Sequence, residues 1–172
     1  QFPIGEEPES TLAEAIWETI LRHDTDVLLN LHSSTGLYPS DGWGQAIFYA
    51  PAKAAAGATR TVDYLNDNVV PDDRPAYKFE AAPRNIEQAP TGLVTGKAAY
   101  DLDITSYLVE VTSKDLTVST QVEWTKAVVR QLLSGVVLLD SQPQTAPVAV
   151  IETTPRGASE RDLDGGTTVA LD

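Results

Sequence analysis

Asp26-Val27-Leu28-Leu29-Asn30-Leu31-His32-Ser33-Ser34-Thr35-Gly36 is a short apolar run that ends in a histidine, three hydroxyl residues and a glycine. A run of this length, bounded in this way, reads as a buried strand from Val27 to Leu31. In open α/β sheets, ligands occupy the crevice beyond the carboxyl ends of the strands. His32 therefore stands where a metal ligand or a catalytic base is useful. The other histidine, His23, falls at the end of an expected helix, where a cation complements the helix dipole.

Working outward, Thr11-Leu12-Ala13-Glu14 has the capping-box pattern, and Leu12, Ile16 and Ile20 recur at helical spacing. A helix is expected from about Thr11 to Arg22, followed at once by the strand. After His32 comes a Gly-, Ser- and Asp-rich loop, a short strand Gln45–Tyr49, and a helix opened by Pro51 and running to about Asn66. Tyr77–Ala81 reads as a strand, 82–96 as an irregular connection, and Lys97–Asp103 as one or two helical turns. Ile104–Thr112 is the second strong strand. Thr120-Gln121-Val122-Glu123 repeats the capping pattern before a helix to about Leu139, with Val122, Val129, Leu132, Leu133 and Val136 as its apolar face and Trp124 flanking it. The alternation predicts an α/β fold, layered as a three-layer sandwich around a mainly parallel or mixed sheet. Residues 1–141 form that domain, 142–147 a linker and 148–172 a short β-like or acidic tail.

The 172 residues include 25 acidic and 12 basic ones, for a net charge of −13. Such a field repels nucleic acid and anionic membrane, so neither is an expected partner. Only five residues are Lys, Asp outnumbers Glu, and Cys and Met are absent. That composition resembles proteins adapted to high salt, where counterions screen self-repulsion. Without Cys, any transition-metal site must use His and carboxylates. Phosphate-cradling glycine loops and the G-x-S-x-G nucleophile elbow are both missing, and neighbouring strand residues point apart, which disfavours a serine nucleophile beside His32.

Glu110 is the second candidate. It interrupts Leu108-Val109-Glu110-Val111, an otherwise dry strand. Periodicity leaves two readings open: Glu110 on a wet face, or a partly buried carboxylate whose pKa suits a general base.

Leu29-Asn30-Leu31-His32-Ser33-Ser34, followed by Ser106-Tyr107-Leu108-Val109-Glu110, resembles the second half of the zinc carboxypeptidase family. The likeness extends to its deacylase relatives, the succinylglutamate desuccinylase and aspartoacylase group. Leu37-Tyr38-Pro39 also resembles the segment that follows the family's histidine. The resemblance implies that His32 is the third ligand of a Zn2+ ion and that Glu110 activates the attacking water. Ser33 would then shape the substrate side through its backbone. The separation of His32 and Glu110 is 78 positions. Gln1-Phe2-Pro3-Ile4-Gly5 looks like the continuation of the family's Asn-Arg-x-Phe-Pro stretch, whose Asn and Arg bind the substrate carboxylate.

No H-x-x-E occurs in the chain, so the other two ligands are expected upstream of Gln1. The chain then reads as a fragment of low activity alone, acting on a peptide or an N-acyl amino acid. Glu87 and Gln88 stand where the carboxypeptidase branch has a capping tyrosine, which keeps deacylases in view. The tail from Ala146 resembles the opening strands of a polycystic-kidney-disease-type β-sandwich domain, implying an extracellular parent; a cytoplasmic location is the alternative. Two competing readings are a non-catalytic binding module that keeps the fold without metal, and a small acidic domain with both residues structural. A His32–Glu110 separation beyond about 10 Å would favour the last, because base and metal must share one water.

Overall fold

A computed structural model describes residues 1–83 and 92–137, with side chains through residue 135. The expected linker, the tail, and the Glu87 and Gln88 positions lie outside the described residues.

Helix α1 spans Thr11–Arg22, with His23 at its C-cap. Its N-cap is Ser10, one residue before the expected Thr11: the Ser10 hydroxyl accepts from the Ala13 amide at 3.2 Å. The buried face is Ala13, Trp17 and Ile20, and Leu12 is left 73% exposed.

The strands are β1 (Val27–Ser34), β2 (Ala46–Ala50), β3 (Glu80–Pro83) and β4 (Thr105–Thr112). Among the described residues they form one mixed sheet in the order β1-β4-β2-β3. β1 is parallel to β4, β2 is parallel to β3, and β2 runs antiparallel to β4. The interior positions belong to β4 and β2, both buried along most of their length. Among the described residues β1 stands at the edge of the sheet, half-buried as far as Asn30 and exposed from Leu31 to Ser33. An apolar run cannot by itself tell an edge strand from an interior one, since both need one covered face.

A short 3₁₀ turn, Ala52–Ala54, leads into α2 (Ala55–Asn68), and α3 spans Val94–Asp101. α4 (Val118–Val137) starts earlier than the second capping pattern predicts. The Thr117 hydroxyl accepts from the Thr120 amide at 3.1 Å, so the cap is Thr117. The α4 core face is Trp124, Val128 and Leu132, a run of i, i+4, i+8; Val122 is exposed.

Apolar clusters lie on both faces of the sheet. On one, Ile47, Tyr107, Val109 and Val111 pack against α2 and α4. On the other, Leu28 packs with Trp17 and Ile20 of α1 and Ala98 of α3. Consecutive strand residues serve opposite faces, so β1 feeds both clusters, through Leu29 to the first and Leu28 to the second. Among the described residues no helix is long and apolar enough to cross a membrane.

Lys97 ties the first residues to α3. Its side chain is 4% exposed. Its ammonium donates to the carbonyls of Pro3 and Glu6 and to the Asp101 carboxylate. It also lies 4.7 Å from the centre of the Trp17 ring. All three donors are used, which is what a buried ammonium requires.

Candidate active site

The parallel β1–β4 register sets His32 opposite Glu110, and the β2–β4 register sets Ala46 opposite Glu110 on its other side. Residues opposed in a ladder share a face, so ring, carboxylate and the small Ala46 side chain form one row across three strands. His32 Nδ1 lies 3.9 Å from Glu110 Oε1, with the His32 side chain 45% exposed and Glu110 12% exposed. That gap is too long for a hydrogen bond. It is far below the 10 Å at which base and metal could no longer share a water. The Glu110 side chain as a whole is mostly covered.

Asn30, two residues earlier on the same face, turns its Oδ1 to His32 Nε2 at 3.0 Å. Burial lowers the His32 pKa, since removing solvent disfavours the charged ring. Burial therefore favours the neutral ring, the form that binds metals. Ser33 falls on the other face. Its hydroxyl donates to Gln121 Oε1 of α4 at 3.3 Å, so only its backbone adjoins the His32 row.

The loop after β1 is built by close backbone approaches. A Cβ on Gly36 would lie 2.4 Å from the Asp41 carbonyl oxygen, and one on Gly44 would lie 2.3 Å from that of Gly36. Asp41 accepts from the Leu37 amide at 2.7 Å and pairs with Lys114 at 2.7 Å, fastening the loop to the residues after β4. Tyr38 and Trp43 stack at 6.4 Å, each edge-on to Phe48 of β2.

Gln45, fully buried, donates to the Tyr77 carbonyl and accepts from the Thr112 amide, both at 2.9 Å. It holds β4 just past Glu110. The sequence marked Gln45 only as the start of a strand, and Asn30 only as part of the apolar run. A polar residue inside such a run was the available signal for Asn30.

Among the described residues, no group of three or more His, Cys, Asp or Glu side chains converges as a metal site. His32 offers one nitrogen donor with a carboxylate beside it. That fits one ligand and one base, but not a closed zinc site, which takes three protein ligands or more.

No family model and no curated protein matches the sequence. Solved structures do. The cell shape determinant protein Csd4 from Helicobacter pylori, described in its mDAP-bound form as a D,L-carboxypeptidase, matches with a TM-score of 0.61 and 18% identity. The match covers 76% of this chain and 35% of Csd4. Product-bound Csd4 matches with a TM-score of 0.62 and 16% identity, over 77% of this chain and 36% of that one. The fold is carboxypeptidase-like. The likeness extends to the fold alone, and the chain spans about a third of the length of Csd4.

Proposed function

We propose that this chain contributes part of the active site of a zinc-dependent peptidase of carboxypeptidase type, organised as a three-layer α/β/α domain. The observation that carries this reading is the His32–Glu110 pair, a neutral-prone ring and the carboxylate of a mostly covered side chain 3.9 Å apart on adjacent strands. The likeness to Csd4 adds the substrate class, since its structures include mDAP-bound and tripeptide-bound forms. A short peptide with a free carboxylate is the proposed substrate.

His32 would hold the metal through Nδ1, the nitrogen that faces Glu110. The remaining ligands have to come from polypeptide outside the described residues. Bound zinc supplies a Lewis acid that polarises the scissile carbonyl and makes water a nucleophile near neutral pH. Glu110 accepts the proton from the attacking water and returns it to the leaving amine. The Ser33 backbone lines the substrate side, and its hydroxyl takes no part.

The test uses the full-length polypeptide that carries this sequence. Glu110→Gln should abolish hydrolysis of short peptides while metal content stays unchanged, and His32→Ala should lower metal content. Undiminished turnover in the Gln variant removes Glu110 from its role. A wild-type protein that binds peptide without metal or turnover identifies a binding module.

A further inference from the structure

His32 and Asn30 sit on the same face of β1, and their contact decides which ring nitrogen carries the proton. An amide Oδ1 only accepts. His32 Nε2, 3.0 Å from Asn30 Oδ1, must therefore donate. The alternative tautomer would set the Nε2 lone pair against those of Oδ1. In the neutral ring a proton on Nε2 leaves the lone pair on Nδ1, the atom 3.9 Å from Glu110 Oε1. The single hydrogen bond thus aims the ring's donor electrons into the space beside the carboxylate.

We propose that Asn30 is a positioning residue, fixing His32 as the Nε2–H tautomer so that Nδ1 is presented to a divalent metal ion beside Glu110. The metal half of this statement rests on the zinc peptidase reading above; the tautomer half does not. A chain-local partner suits the role. The His32 side chain is half exposed, so its neighbours hold the ring only in part, and an acceptor two residues back on the same strand moves with it. Acceptors behind metal-binding histidines fix ring orientation, and their loss typically weakens metal binding about 10- to 100-fold.

Asn30→Leu keeps the approximate volume and removes the acceptor; Asn30→Asp keeps an acceptor. Nitrogen-15 correlation spectra of the metal-free, full-length polypeptide report the tautomer directly, with the His32 signals identified by their loss in His32→Gln. Wild type and Asn30→Asp should show the Nε2–H form, and Asn30→Leu a mixture or the Nδ1–H form. Zinc affinity, measured by competition with a chelator, should fall about 10- to 100-fold in Asn30→Leu and be largely restored in Asn30→Asp. An unchanged tautomer in Asn30→Leu overturns the proposal. A changed tautomer with unchanged zinc affinity overturns its metal half. Wild-type protein that takes up no zinc sinks the zinc peptidase reading instead, and the spectra still decide what Asn30 does to the ring.

Discussion

His32 and Glu110 are direct cross-strand partners in the parallel β1–β4 ladder, with ring Nδ1 and carboxylate Oε1 3.9 Å apart. Because the ladder sets that spacing, shortening the acid changes geometry without changing charge. Glu110→Asp withdraws the carboxylate by one carbon–carbon bond. A displacement on the order of 1 Å at a reacting group can cost about 100-fold in rate. Peptide hydrolysis by the full-length protein should therefore lose about that much kcat, with KM little changed. A wild-type kcat would mean that Glu110 is not the base.

Gly57 of α2 faces the tip of Tyr107, whose hydroxyl donates to the Ala54 carbonyl at 3.1 Å. A Cβ at Gly57 would lie 2.3 Å from that hydroxyl oxygen and 3.3 Å from the ring carbon bearing it. Helix propensity favours Gly57→Ala by about 1 kcal/mol. Overpacking a buried, rigid ring typically costs about 1–3 kcal/mol and should win. Removing the hydroxyl with Tyr107→Phe relieves the contact, so a urea double-mutant cycle should show a favourable coupling of about 1 kcal/mol or more. Strict additivity would refute the clash.

Lys97→Met keeps most of the stem and deletes the charge. The Pro3 and Glu6 carbonyls then lose the ammonium donor, the Asp101 carboxylate, which also accepts from the Gly5 amide, loses its counter-charge, and the Trp17 ring loses its cation. Breaking a buried pair from one side costs about 3 kcal/mol or more. Denaturant titration should show a markedly lower midpoint at an unchanged slope. An unmoved midpoint would show that the clamp adds nothing to stability.

The Asp41 pKa lies below its usual 3.8, chiefly through its hydrogen bond to Lys114 and then through the Leu37 amide. Lys114 is shifted up by the same pair. A carboxylate with a depressed folded pKa contributes stability above its unfolded pKa and loses it as pH falls through the folded one. The loop should hold at neutral pH and loosen below about pH 4. The Leu37 amide resonance should move with a midpoint under 3.8 and lose that step in Asp41→Asn. Because the pair is exposed, added salt should weaken it.

The helices were largely legible because their signals are local. The capping residues and 3.6-residue periodicity place α1 within one residue of its start, since cap and first turn interact over three or four positions. The faces were less legible. Val122 and Val129 compete in sequence with Trp124, Val128 and Leu132, and the packing of α4 against β4 and α2 selects the second set. Propensity makes a helix but does not orient it. Asn30 was hidden for a related reason: its use depends on a ring two residues away, and reads as a lapse in an apolar run until both side chains have directions.

The sequence by itself determined the alternation of helices and strands, the two strands carrying His32 and Glu110, and the acidic composition. Tertiary structure alone decided that β4 lies inside the sheet and, among the described residues, β1 at its edge, and that His32 and Glu110 stand in register. It also decided that Ser33 faces away from them. Strand order and register come from pairings between segments far apart in the chain, and their energies lie in ladder hydrogen bonds and shared burial that no local pattern encodes. A one-residue slip would have turned Glu110 to the opposite face, so the site exists only at the register the two cores enforce.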